Sequence, residues 1–362
     1  MHSRCSCSRR DFLARGLYGI GIGAGLPLFL NRTSAALAAQ AIAGTSVEKY
    51  PERILVVTVE EQARQMQVQV PAIPVENYLI EPFPRGTASV VGLAAAVLKK
   101  RDPEAMMAIL TADHFIKDKK LFRYLISTAF DVASEDYLVT LGITPTFPAT
   151  GYGYIEQGEP LDGEYEYPVY QVNKFKEKPD QETADQLLRA GDHSWNSGRF
   201  VWRVDRILSE IQKQMPDLSK AVNKIADAWN TPQRNETLYS CWDGLKSQTI
   251  DYGIMENAEK VAVLPAGGLG WSDVGSWDSL FEVLMPDSNG NIPVNAEHLA
   301  LDTHNVLVYG NGDNKRLIVT IGLDDIVVVD TGDVIMVCKT DQSQRVRDVV
   351  EHLKKTNQEK YL

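Results

Sequence analysis

The sequence predicts an α/β fold with a mostly parallel sheet, followed by a small β-rich domain. Two patterns carry that expectation. From Ile54 onward, short apolar runs alternate with amphipathic helical stretches, the rhythm of repeated βαβ units. From about Asn305, segments such as "NVLVYG", "RLIVTIG" and "DIVVVDTGDVIMVC" follow one another at short spacing with Gly and Asp turns, as in all-β structure.

The elements read in chain order. "ILVVT" (54–58) is a strand, "EEQARQMQVQV" (60–70) a helix, and "ENYLIEP" the next strand. "TASVVGLAAAVLKK" (87–100) is a helix opened by Thr87, and "AMMAIL" (105–110) a buried strand. "LFRYLISTAFDVA" (121–133) is a helix and "YLVTLGI" (137–143) a strand. Helix-rich sequence from about Glu182 to Asn257 interrupts the rhythm before the strand "KVAVLPA" (260–266), and "QRVRDVVEHLKKT" (344–356) is a closing helix. The organisation expected is therefore a leader over 1–45, an α/β domain over 50–290 and a β-rich domain with a terminal helix over 291–362.

The leader expectation rests on "SRRDFL" (8–13), on Arg4, Arg9, Arg10 and Arg15 against the single acid Asp11, and on the apolar stretch Gly16–Leu30. Those 15 residues fall short of the roughly 20 that span a bilayer. "ALA", Ala36 to Ala38, then offers a small-x-small cleavage site, so the segment resembles a twin-arginine export signal. "GIGIGAG" (19–25) has phosphate-loop composition, but no strand precedes it and no basic helix follows.

With 44% hydrophobic and 23% charged residues the 362-residue chain is of globular composition, and a net charge of −11 argues against nucleic-acid binding. An anionic substrate then needs local positive charge or a metal ion. Cys5, Cys7, Cys241 and Cys338 have no zinc or disulfide spacing.

Several stretches place chemistry-bearing residues at element ends. "ILTADHFI" sets Asp113 and His114 directly after a strand, where open α/β sheets hold ligands and where a carboxylate suits Mg²⁺; an Asp there is more often a turn or cap residue. "GWSDVGSWDSL" offers Asp273 as a second carboxylate, with a Trp-anchored turn as the equal alternative. In "FKEKPD", Glu177 suits sugar hydroxyls and Lys178 a phosphate, against the ordinary reading of a solvated edge. "SWNSGRFVW" adds Asn196 in a loop between Trp195 and Phe200, a composition that fits a sugar pocket. "TGYGYI" brings Gly153, and "EPFPRGTAS" puts Arg85, Gly86 and Thr87 before a helix whose amides favour anions or carbonyl-rich bases.

Taken in order, "EPFPRGTA", "LTADHFI", "LGITPTFPATGYGYI", "FKEKPD", "WNSGRF", "TIDYGIME" and "GWSDVGSW" closely resemble the mannose-1-phosphate guanylyltransferase family. That resemblance implies a Rossmann-like nucleotidyltransferase domain, GTP and mannose 1-phosphate as substrates, GDP-mannose and pyrophosphate as products, Mg²⁺ as cofactor, a cytoplasmic setting and a homodimer. It further implies Asp113 and Asp273 as metal ligands and catalytic residues with Lys178. Arg85, Gly86 and Thr87 would lie near guanine, and Gly153, Glu177, Asn196 and Asp251 around mannose. A glucose-1-phosphate nucleotidyltransferase is the neighbouring alternative. One departure stands out: the family's opening strand and G-G-x-G-x-R-L-x-P loop are not found, and the export-like leader stands in their place. The expectation is of a foreign leader replacing the first βα unit and of little or no turnover, with a sugar-phosphate or GDP-mannose binder as the alternative.

Overall fold

The computed structural model describes residues 51–111, 114–274, 276–310 and 316–361. The leader and Asp113 lie outside them. The first strand, β1 (Val56–Val59), leads into helix α1 (Glu60–Gln69) and returns as β2 (Tyr78–Glu81), which pairs with β1 in parallel. Strand alternation sends Tyr78 and Ile80 to a small core under α1, and Leu79 to the main core under α2 (Thr87–Arg101). Alanine and valine line nearly the whole circumference of α2, so it is buried along most of its length.

The main sheet contains β3 (Met106–Ile109), β5 (Leu138–Ile143), β6 (Tyr154–Pro160), β7 (Tyr170–Lys176), β8 (His193–Arg203) and β9 (Val261–Pro265), in the order β3-β8-β5-β9-β7-β6. A short strand, β4 (His114–Ile116), stands outside it and pairs antiparallel with β10 (Trp271–Asp273). Strands β3, β5, β6 and β9 run in one direction, in keeping with a parallel frame, but the pairings correct that expectation. Strand β8 runs backwards between β3 and β5, and β7 runs backwards beside β9, so only β5 with β9 is a parallel pair in this sheet.

The source of the correction is the stretch "SWNSGRFVW", whose Asn-Ser-Gly centre reads as a loop. In the structure it belongs to an eleven-residue strand. Thr140 pairs with Phe200 and Gly142 with Asn196, so residues 197–199 bulge opposite the single residue Leu141. Gly198 carries the φ of +66° that this bulge requires, a conformation costly for any residue with a Cβ. Trp195 and Phe200 are consequently core residues, only 3% and 2% exposed, rather than pocket walls. "AMMAIL" is also less buried than expected, because β3 is an edge strand and Met106 reaches solvent.

Helix α3 (Lys119–Ser134) starts where Asp118 accepts from the backbone of Lys120 and Leu121, at 3.0 and 2.9 Å. Helix α4 (Gln181–Ala190) starts on Asp180, which accepts from Thr183 at 2.8 Å. Helices α5 (Val204–Gln214), α6 (Pro216–Ala228) and α7 (Arg234–Asp243) pack with α2 around Trp202 and Trp242, both fully buried. No described helix is long and apolar enough to cross a membrane.

The last domain is a stack of β-helix coils. Strands β11 (Ile292–Val294), β13 (Leu307–Gly310) and β15 (Ile326–Asp330) pair in parallel, as do β12 (Glu297–Leu301) and β14 (Leu317–Ile321), and β16 (Ile335–Lys339) closes the first stack antiparallel. Ile292, Leu307 and Val327 stack in register on one face, while Val308 and Val328 pack towards Ile318 on the other. The β-rich expectation thus takes a coiled form in which every rung buries aliphatic side chains under the next.

Candidate active site

The predicted residues that lie within the described part of the chain, all but Asp113, fall into three neighbouring groups. The first surrounds Asn196. Its backbone N–H donates to Gly153 O at 2.7 Å, its Oδ1 accepts from Thr140 Oγ1 at 3.1 Å and from Gly198 N at 3.2 Å, and its Nδ2 donates to Asp251 Oδ1 at 2.8 Å. Every hydrogen-bonding position of the side-chain oxygen and one of its amide protons is therefore fixed. Glu177 sits beside this group, 7% exposed and ion-paired to Lys178. A Cβ on Gly153 would collide with Glu177 Oε2, so any larger residue there must push that carboxylate aside. Burial, then the neighbouring Glu177 charge, pushes the Asp251 carboxyl up to about 6, against the opposing pull of Lys178 and Asn196. Two carboxylates, an amide and an ammonium in one cluster form a set suited to reading hydroxyl groups beside a phosphate.

The second group lies at the N-terminus of α2, and here the predicted residues are engaged in holding the fold. Arg85 donates to the carbonyls of Trp242 and Asp243 at 3.3 and 2.7 Å and lies over the Phe83 ring. Gly86 is the helix N-cap, packed against Gln248, whose carbonyl accepts from Ala88 at 3.1 Å. Thr87 is the first helical residue, and its hydroxyl accepts from Ile250 N at 2.7 Å. The adjacent residue Asp251 reaches Asn196, so one segment, 248–251, ties the helix terminus to the first group.

Sequence reasoning missed Glu81 in this second group. It ends β2 on the α2 side of the sheet, is 5% exposed, and leaves Oε2 without a hydrogen-bond partner. Burial pushes its carboxyl up to about 7, opposed by a hydrogen bond from the Arg85 backbone. The available signal was its position, a carboxylate at the carboxyl end of a strand.

The third group is formed by β4 and β10. Their ladder sets Asp273 directly opposite His114, joining the two motifs read as carboxylate sites. His114 is largely buried; desolvation, followed by the charge of Arg199, holds its imidazole well below the usual range. Trp271 meets the His114 ring edge-on at 5.1 Å, and Tyr152 packs against both Trp195 and Trp271. Burial and the Asp273 charge raise the Tyr152 phenol, so it stays a protonated donor. Among the described residues no group of three or more His, Cys, Asp or Glu side chains encloses a metal. A hard cation that keeps most of its shell for water and phosphate is the kind that Asp273 suits, and Mg²⁺ fits that donor chemistry.

These groups sit around the ends of β2, β7 and β10, the β8 bulge and the N-terminus of α2. Comparison with known proteins identifies the family. Residues 27–290 match the nucleotidyl transferase family model, and residues 296–353 match the mannose-phosphate isomerase/GMP-like β-helix domain. The chain belongs to the nucleotidyl transferase family. The first match begins within the stretch read as a leader.

The mannose-1-phosphate guanylyltransferase of Escherichia coli K12 is 37% identical over 304 residues, covering 82% of this chain and 60% of that protein. The alginate biosynthesis protein AlgA of Pseudomonas aeruginosa is 36% identical over 293 residues, covering 80% and 59%. The chain thus spans about three-fifths of the length of these curated relatives. A crystal structure from Thermus thermophilus, described as a mannose-1-phosphate geranyltransferase, superposes with a TM-score of 0.76 at 27% identity, covering 96% of this chain and 97% of that one.

Proposed function

We propose that the chain is built for nucleotidyl transfer from GTP to mannose 1-phosphate, giving GDP-mannose and pyrophosphate. The observation that carries the reading is the cluster of Gly153, Glu177, Lys178, Asn196 and Asp251, whose acceptors and donors are fixed by contacts with one another and suit the hydroxyls of a hexose. In the reaction a phosphate oxygen of mannose 1-phosphate attacks the α-phosphorus of GTP, a new P–O bond forms, and the β-phosphate leaves with the γ-phosphate as pyrophosphate. Catalysis of this kind is positioning and charge neutralisation, with no covalent enzyme intermediate.

The residues divide that work. Glu177, Asn196 and Asp251 hold the mannose hydroxyls, and Lys178 faces the sugar phosphate. Glu81, whose buried Oε2 has no partner within the protein, accepts from the ring N–H and amino group of guanine once the nucleotide reaches it, and Arg85, Gly86 and Thr87 keep the helix terminus in place. Asp273 would hold Mg²⁺, with Asp113, which lies outside the described residues, as the second carboxylate. When bound, that ion neutralises the triphosphate and aligns its oxygens. Use of GTP belongs to the cytoplasm, whereas the leader-like segment argues for export; fractionation of cells expressing the tagged chain decides between them.

The alternative is a protein that binds the sugar nucleotide without turning it over. A pyrophosphate-release assay with GTP, mannose 1-phosphate and Mg²⁺ tests both. Turnover that Asp273→Ala reduces at least a hundredfold supports transfer; a folded chain that releases no pyrophosphate yet binds GDP-mannose supports the binder.

A further inference from the structure

His114 has more donors around it than an ordinary core histidine. Its Nδ1 is met by Arg199 Nη1 at 2.8 Å, by Trp271 Nε1 at 3.2 Å and by the Thr111 hydroxyl at 2.7 Å. Guanidinium and indole groups only donate, so Nδ1 presents its lone pair and the ring proton resides on Nε2. That nitrogen lies 3.8 Å from Asp273 Oδ1, longer than a hydrogen bond but within reach of one on a small side-chain rotation, across the ladder that pairs the two residues.

We infer that His114 is a positioning residue for Asp273: its Nε2–H aims the carboxylate, and Arg199 and Trp271 lock the imidazole in the tautomer that can do so. The inference rests on the reading of Asp273 as a cation ligand. Each anchor is fixed by the backbone. Arg199 is 3% exposed and stands on the β8 bulge, where its N–H donates to Ser197 Oγ and its carbonyl accepts from Thr140. A Cβ added to the positive-φ residue Gly198 at the bulge centre would meet Thr111 and the His114 ring at 3.7 and 4.0 Å, so the bulge lies directly against them. The same bulge carries Asn196 on its other shoulder, so β8 couples the sugar cluster to the carboxylate.

A neutral imidazole donating a proton suits this task better than a cation. It restricts rotation of the carboxylate while leaving the full negative charge of Asp273 for a divalent ion. A proton on Nε2 also removes His114 from the ligand set, since a metal needs the lone pair there.

The test is titration of the purified full chain with Mn²⁺, read as free Mn²⁺ by electron paramagnetic resonance, alongside thermal melts. Glutamine places an amide N–H near the position of Nε2, asparagine near Nδ1, and phenylalanine keeps only the ring. His114→Gln should bind Mn²⁺ within about threefold of the unsubstituted chain, while His114→Asn and His114→Phe should bind about 10- to 100-fold more weakly, the range seen when groups that orient metal ligands are removed. If His114→Phe does not fold, the contrast between Gln and Asn at equal melting temperature carries the test. Equal Mn²⁺ affinity in the Gln and Asn variants overturns the inference alone. An unsubstituted chain that takes up no Mn²⁺ overturns the cation reading of Asp273 and the inference with it.

Discussion

Asn196 donates from Nδ2 to Oδ1 of Asp251 at 2.8 Å, joining the central antiparallel strand to the segment that also secures the N-terminus of α2. The bond fixes which oxygen of Asp251 is an acceptor and leaves the other for ligand or proton. Because the folded-state pKa is raised to about 6 from 3.8, folding favours the protonated carboxyl. The benefit is full below pH 3.8 and is lost as pH rises through about 6. Asp251→Asn keeps the acceptor and removes the charge, so its melting temperature should exceed that of the unsubstituted chain at pH 8 and converge with it near pH 4. Parallel melting curves at every pH would count against the placement of this carboxyl.

Gly153→Ala tests the cluster from the other side. The new Cβ must displace Glu177, whose side chain is buried, so the expected result is at least a tenfold loss of GDP-mannose affinity with little change in the far-ultraviolet circular dichroism spectrum. Unchanged affinity would show that Glu177 does not touch the sugar.

Glu81 supplies a pH test on the nucleotide side. Its carboxyl is about half ionised near pH 7, and only the ionised form accepts two donors from guanine. GDP affinity should therefore rise about tenfold between pH 6 and pH 8, and Glu81→Gln should be weak and flat over that range. A flat profile in the unsubstituted chain would remove Glu81 from base recognition.

At the bulge, Gly198→Ala places an L-residue at φ +66°, a strain of about 1 kcal/mol that a shift of the bulge, and of Arg199 on it, would relieve; the new methyl itself only comes into van der Waals contact with Thr111 and His114. A melting temperature lower by a few degrees, with weakened Mn²⁺ binding, is expected; wild-type behaviour in both would show that the bulge tolerates a side chain.

Much of this arrangement was legible in the sequence because it is written locally. Apolar periodicity located α1, α2, α3 and β5, and the ordered motifs selected the residues that the structure gathers around Asn196. Strand direction was not legible. Nothing in "SWNSGRFVW" reveals that it crosses the sheet between β3 and β5, because pairing is decided by long-range contacts and by a bulge that a single Gly makes possible. Glu81 escaped notice for a related reason: a Glu at a strand end is ordinary until its burial and open oxygen are seen. The work of Arg85, Gly86 and Thr87 in bracing residues 242–250 likewise depends on partners some 160 residues away in sequence.

The central claim is that Gly153, Glu177, Lys178, Asn196 and Asp251 form a mannose-binding cluster, and calorimetric titration with GDP-mannose tests it most directly. The account predicts saturable one-to-one binding by the purified chain, at least tenfold weaker in Asn196→Ala at an unchanged fold. Binding by the unsubstituted chain that Asn196→Ala leaves intact, or no binding by a folded chain, would contradict it.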